Sequence, residues 1–416
     1  MCYKKIAPFV ICTLGSFFYV YDYFLAVSPS VMTGSLLSTF NLDAGALGSL
    51  LAVFFLASTF FQVPAGMLLD RFGARALLSL AVLVSGVGAL LFGVAQAPWQ
   101  IAFARLLMGI GSPFAFLGAL FLASRWFAHK YFALIAGLVQ VGASLGCIIG
   151  GGPMAALVNA LGWRESMIGI GFVTLILSVL FWAVLRDGQP QVKVAVEYHD
   201  QRLRDVFKIK AVWWIALVGF ASWITVTGVG ALWGVPYLMG VYNLSNEATG
   251  YLYVLLWLGL GIGSPLVGLW SDRMKQRKLP FYFCFSVGII AGLLFMMAPR
   301  LPLWVVAILL FVLGFAASLQ SLTFGVAKDL IPHKHFVAAS GLINLAAVFT
   351  GVVSQPLMGY IIDGHAQARG VTTHIYSVQD YQLGFIVIPL VLFLGLLITW
   401  RCLPETHCVP VYEHHD

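Results

Sequence analysis

The sequence predicts an all-α polytopic membrane protein, with twelve transmembrane helices arranged as two six-helix pseudo-repeats. Three observations predict it. Apolar residues make up 61% of the chain and charged residues only 9%, where a soluble domain carries about 45–50% and about 25%. Apolar stretches of membrane-crossing length recur twelve times along the chain. A charged motif stands at the same place in each half. A soluble enzyme, a nucleic-acid binder and a disordered scaffold are excluded by the composition alone.

About 20 apolar residues cross a bilayer as a helix. Stretches of that kind run over 7–34, 46–69, 76–95, 99–123, 132–157 and 165–185, then 212–239, 248–270, 280–298, 302–326, 336–361 and 383–402. Breaks fall where helix punctuation stands, at Ala97-Pro98, Pro299 and Pro302. The first stretch follows Lys4 and Lys5, as in a secretory signal, but it runs past Ser30 and so reads as a retained membrane helix. The organisation expected is a first six-helix bundle over 1–185, a cytoplasmic linker over 186–210, a second bundle over 211–403 and a cytoplasmic tail over 404–416. The linker is the only long polar stretch; it reads equally as a solvated connection or as an amphipathic helix on the inner leaflet.

Orientation follows from the basic residues. With the N-terminus inside, Lys and Arg crowd the inner segments, from Lys4 and Lys5 through Arg71, Arg75, Arg273 and Arg277 to Arg401. The outer segments hold only Arg164, Arg300 and Arg369. The positive-inside rule then places both termini in the cytoplasm, in the inner membrane if the cell is bacterial. The net charge of +7 needs no nucleic acid to explain it. The six cysteines include no C-x-x-C pair and read as buried small hydrophobes and terminal thiols.

Between the second and third stretches stands Gly66-Met-Leu-Leu-Asp70-Arg71-Phe-Gly73-Ala-Arg75. Between the eighth and ninth stands Gly268-Leu-Trp-Ser-Asp272-Arg273-Met-Lys-Gln-Arg277. Gly, Asp, Arg and Arg of the two copies share one offset of 202 residues. Two like-oriented six-helix halves are the parallel-repeat plan of a rocking transporter. The first copy resembles the signature G-x-L-x-D-R-x-G-x-R of the major facilitator superfamily. The second copy has Met274 and Lys275 where the first has Phe72 and Gly73. Arg105-Leu-Leu-Met-Gly109-Ile-Gly111 and Gly162-Trp163-Arg164 are similar to further motifs of that family. The resemblance implies the major facilitator fold, alternating access, and a cytoplasmic latch made by Gly66, Asp70, Arg71, Gly73 and Arg75 with Gly268, Asp272, Arg273 and Arg277. The proline of the fifth stretch sits at Pro153, away from the place it holds in the family's exporters, which weighs against drug efflux.

Ionisable residues inside a membrane are functional candidates by default. Away from the span ends there are two, Asp22 in the first stretch and Arg105 in the fourth. Counted at 1.5 Å per residue they lie at about the same depth. In the resembled fold the first, fourth, seventh and tenth helices line the central cavity, so this acid and base either pair or jointly hold a zwitterion. Phe18 and Tyr19 share the face of Asp22 by i, i+3 and i+4 spacing. Trp223, Thr227 and Tyr237 form a similar stripe in the seventh stretch. Such stripes serve helix packing more often than ligand binding.

The Tyr21-Asp22 pair, with the small residues and Pro29 after it, resembles the first helix of a branch of lysosomal dipeptide carriers and their bacterial relatives. That implies amino acids or short peptides as cargo.

An ATP-driven pump is disfavoured because no G-x-x-x-x-G-K-[ST] occurs. His333 and His335 lack further ligands and read as a solvated loop, so neither metal nor cofactor is expected. The expected function is a secondary transporter, not an enzyme, moving a small polar organic solute. An efflux carrier for drug-like or siderophore-like compounds is the alternative, ahead of a membrane enzyme or a channel. The expected partners are the solute, membrane lipids and, if transport is proton-coupled, a proton on Asp22. A monomer is expected.

Overall fold

The structure, a computed structural model, describes residues 2–127, 129–187, 205–370 and 376–410. No strand occurs among the described residues. Among the described residues, twelve helices are long and apolar enough to cross a membrane. They are Pro8–Val31 (span 1), Ala44–Leu69 (span 2), Ala74–Val94 (span 3), Pro98–Trp126 (span 4), Val141–Leu161 (span 5) and Trp163–Val184 (span 6). Lys210–Tyr242 (span 7), Asn246–Met274 (span 8), Lys278–Met296 (span 9), Leu303–Leu330 (span 10), Ala338–Ala368 (span 11) and Val378–Cys402 (span 12) follow.

Local chemistry sets the span ends. Pro98 opens span 4 after an extended Ala97, a position where its missing N–H costs nothing. Gly162 alone separates spans 5 and 6, with a left-handed φ of +88° that a Cβ would strain. Several spans are irregular inside, with single-residue breaks at Tyr253, Ser318 and Ile386 in spans 8, 10 and 12. Span 5 is interrupted at Gly151, just before Pro153. Span 7 widens into a π-helical stretch over Val226–Trp233, and such bulges concentrate at functional sites.

The chain divides into two compact units, Met1–Asn41 with Ser49–Val196, and Leu42–Gly48 with Glu197–Asp416. In the first unit, span 3 packs along spans 4 and 6, and span 1 along spans 4 and 5. In the second, span 9 packs along spans 10 and 12, and span 7 along spans 10 and 11. Each pairing of the first unit thus returns six spans later in the second.

The same holds for one close backbone approach. A Cβ on Gly109 of span 4 would lie 2.3 Å from the carbonyl oxygen of Phe54 in span 2. One on Gly314 of span 10 would lie 1.8 Å from that of Leu256 in span 8. Only glycine allows helices this close. Most of the segment 186–210, for which the sequence left a linker or an amphipathic helix, lies outside the described residues.

Candidate substrate and gating residues

In the first unit the acid and base of the sequence reading are both buried, but they do not pair. Asp22 is 7% exposed and accepts a hydrogen bond at Oδ2 from Ser112 Oγ, at 2.9 Å. Ser58 Oγ in turn donates to Ser112 Oγ at 3.2 Å, so spans 1, 2 and 4 share one polar chain. Arg105 is 1% exposed. Its Nη1 donates to the Leu25 carbonyl at 2.8 Å and its Nε to that of Leu51 at 3.4 Å. Its guanidinium lies 4.4 Å over the Phe54 ring.

The Leu25 carbonyl is available for a local reason. Its helical donor would be the amide of residue 29, and Pro29 has none. Arg105 fills that place, with Ser28 Oγ beside it at 3.3 Å. The geometry thus gives Arg105 a tethering position on spans 1 and 2. Phe18 meets Phe181 edge-on at 6.2 Å, and Tyr19 Oη donates to Tyr23 Oη at 3.4 Å.

In the second unit, Tyr237 separates from Trp223 and Thr227 of the span 7 stripe. Thr227 sits in the π-helical stretch, its Oγ1 at 2.9 Å from Ser354 Oγ of span 11. The widened helix leaves the Thr227 carbonyl to accept from Gln355 Nε2 at 3.2 Å. Trp233 Nε1 donates to the Gln355 carbonyl at 2.9 Å. Trp223, 7% exposed, lies one turn before Thr227 and accepts its hydroxyl at 3.2 Å on the main chain. Tyr237 belongs elsewhere, since its hydroxyl donates to the carbonyls of Phe295 and Met296 at the end of span 9. Among the described residues, Gln355 Oε1, Gln320 Nε2 and Trp257 Nε1 are buried with no hydrogen-bond partner.

The two copies of the repeated motif differ in their partners. In the first, Gly73 takes a φ of +80°, and a Cβ there would lie 2.7 Å from the Asp187 carboxylate. Asp187 accepts the Arg75 amide at 2.8 Å and so caps span 3. Arg71 is exposed, with its guanidinium 5.2 Å from the Phe72 ring. The Asp70 side chain lies outside the described residues.

In the second copy, Lys275 takes the place of Gly73 and also has a left-handed φ, of 50°. Arg277 holds two carboxylates, Asp272 through Nη1 at 2.7 Å and Asp329 through Nε at 2.8 Å. Burial would lower the pKa of Arg277, but the hydrogen bonds and charges of Asp329 and Asp272 raise it above its ordinary value. Gly268 has open space around it and Arg273 is exposed.

Glu405 caps span 9 as Asp187 caps span 3, accepting the amides of Arg277 at 2.7 Å and Lys278 at 2.9 Å. Burial alone would raise its pKa, yet these amides and those of Thr406 and His407 hold it below the usual range. The tail is fastened further by Thr406 Oγ1 on Asp329 at 2.8 Å. No group of His, Cys, Asp and Glu suited to a metal occurs among the described residues. His335 is buried in the first turn of the helix His333–Ala368, not in a solvated loop as its sequence context suggests.

A family model of the Major Facilitator Superfamily matches residues 12–353 and 215–410. The chain belongs to that superfamily. It is 23% identical over 413 residues to the uncharacterized transporter YybO of Bacillus subtilis, with 93% of this chain and 92% of that protein covered. It is also 23% identical to the probable L-galactonate transporter of Escherichia coli, with 87% of each covered. Among solved structures it is similar to an inward-facing bacterial homologue of the human lysosomal transporter Spinster. That likeness has a TM-score of 0.81 at 14% identity, covering 95% of this chain and 97% of that one, and it shows the fold alone. This superfamily member is thus an integral membrane protein and a secondary transporter, not an enzyme.

The sequence reading of the transporter missed Ser112, Asp187, Asp329 and Glu405. Asp329 escaped notice because span 10 runs further than its apolar stretch, to Leu330. The run Gly111-Ser112-Pro113 was a signal for Ser112, since a small polar residue inside a span needs a partner.

Proposed function

We propose that this transporter carries a small hydroxylated organic acid by alternating access, with Asp22 as the coupling carboxylate. The observation that carries the reading is the state of Asp22. It is a buried acid that, among the described residues, accepts one hydroxyl at Oδ2 and is joined to no cation by an ion pair. Such a group is free to exchange a proton or to accept a solute hydroxyl through Oδ1. The neutral set Thr227, Ser354 and Gln355 suits hydroxyl groups in the same way. The L-galactonate named for the Escherichia coli relative is a compound of this class.

The domain division at 186–210, a monomeric state, both termini in the cytoplasm and a bacterial inner membrane belong to the same proposal. They are supported by the repeat, the superfamily and the basic residues of the loops. The repeated motif acts as the cytoplasmic latch, with Arg277 releasing Asp272 or Asp329 when the transporter changes state.

A second reading, amino acids or short peptides, is favoured by a buried acid and a buried base in one unit. Counterflow in proteoliposomes separates the two. Sugar acids, amino acids and dipeptides are offered in turn to wild type and to Asp22→Asn. Wild type is expected to exchange sugar acids, and the variant to keep counterflow but lose accumulation driven by a proton gradient. Exchange of dipeptides without sugar acids would replace the first reading by the second.

A further inference from the structure

The two units share a second repeat, which lies at the ends of their last spans. Trp182-Ala-Val-Leu185-Arg186-Asp187 and Trp400-Arg401-Cys-Leu403-Pro-Glu405 match as W-x-x-L-x-[DE] at an offset of 218 residues. The leucines are buried and the acids are turned onto the amides that start span 3 and span 9. The tryptophans face outward, Trp182 at 53% and Trp400 at 59% exposure. Both stand two residues from the end of a span, at the depth where tryptophan marks the membrane interface.

Each indole is flanked by cations. Lys278 Nζ donates to the Trp400 carbonyl at 3.2 Å, and the Arg401 guanidinium lies 5.3 Å from the Trp400 ring. In the first unit Arg75 Nε donates to the Trp182 carbonyl at 2.9 Å, with its guanidinium 4.6 Å over the ring. Arg186 is exposed close by, its Nη1 on the Ala183 and Leu185 carbonyls. The neighbouring carboxylates are turned onto partners other than these cations. Asp187 and Glu405 are occupied by backbone amides, and Asp272 and Asp329 by Arg277.

From this we infer a binding site for the headgroup of an anionic phospholipid at the end of span 12, built from Lys278, Trp400 and Arg401. A copy at the end of span 6 is built from Arg75, Trp182 and Arg186. The phosphate takes the unused N–H donors of the two cations, and the indole lies against the glycerol and upper acyl chain. Two units that share little sequence here have kept the same pairing of outward tryptophan and tethered cation. Helix packing alone asks for the buried leucine and the capping acid, not for either of these.

The test is lipid titration of the full-length, delipidated protein by native mass spectrometry, with phosphatidylglycerol against phosphatidylcholine. Wild type is expected to retain two phosphatidylglycerol molecules and to prefer them over phosphatidylcholine. Each basic residue near an anionic surface is worth about a fivefold change in affinity. Arg401→Gln should therefore weaken the second site about fivefold, and Lys278→Gln with Arg401→Gln about 25-fold. Arg401 is exposed and makes no hydrogen bond among the described residues, so its single variant keeps the fold intact. Lys278→Arg should bind as wild type does. Equal retention of phosphatidylcholine by wild type, or affinity of the double variant within twofold of wild type, would overturn the inference. Displacement of phosphatidylglycerol by millimolar inorganic phosphate would do so as well, by showing a simple anion site.

Discussion

Replacing Glu405 by alanine removes the acceptor that starts span 9. Two amides, of Arg277 and Lys278, lose a charged partner, and the amides of Thr406 and His407 lose one in the tail. Loss of a helix cap costs about 0.5–2 kcal/mol, and loss of a negative charge at a helix N-terminus about 0.3–1 kcal/mol. Glu405 is half-buried, so a destabilisation of about 1–2 kcal/mol is expected. Glu405→Gln keeps an acceptor oxygen and should lose only the charge part. Both are read as melting temperatures in detergent micelles from intrinsic tryptophan fluorescence.

The pH dependence supplies the sign. Glu405 has a lowered pKa in the folded protein, so its contribution is complete above the ordinary glutamate value of about 4.3 and is lost as pH falls through the folded value. The gap between wild type and Glu405→Ala should accordingly close in acid. A variant that melts with wild type at pH 7, or a gap that widens in acid, would refute the capping role.

Three further outcomes are expected from the same melting assay. Gly314→Ala places a Cβ against the Leu256 carbonyl, where backbone cannot yield; it should cost about 1–3 kcal/mol, while Gly268→Ala, in open space, should stay within about 0.5 kcal/mol. Arg277→Lys replaces a fork that meets two carboxylates by a single ammonium and should cost about 1–3 kcal/mol. Arg105→Lys should cost about 1–3 kcal/mol in wild type and measurably less in a Pro29→Ala background, where residue 29 supplies its own amide to the Leu25 carbonyl. Additive effects in that cycle would show that Arg105 does not stand in for the missing donor.

The twelve spans and the repeat were legible because hydrocarbon demands length and apolarity of each helix, and because the G-D-R-R pattern repeats at one offset. The partners of the charged residues were not. Arg105 binds backbone carbonyls, which leave no trace in side-chain spacing, although Pro29 marks where one of them is freed. Asp187 and Glu405 look like stray acids in polar segments until span 3 and span 9 are placed beside them. The π-helical stretch at Val226–Trp233 splits a stripe that regular spacing would keep together, and so Thr227 and Tyr237 part company. The pairing expected of Asp22 and Arg105 rested on depth alone, which says nothing about which way two side chains turn.

The two anchors that fasten each half recur at different offsets, 202 residues for the start of the third helix and 218 for the end of the sixth. The second half is therefore longer between its anchors than the first. Much of the difference falls between spans 11 and 12, where residues 369–377 stand in place of the single Gly162. That junction lies at the end of the bundle away from the capping acids. The two halves thus differ in length at one end. An added residue between Trp400 and Glu405 would pull the cap from span 9.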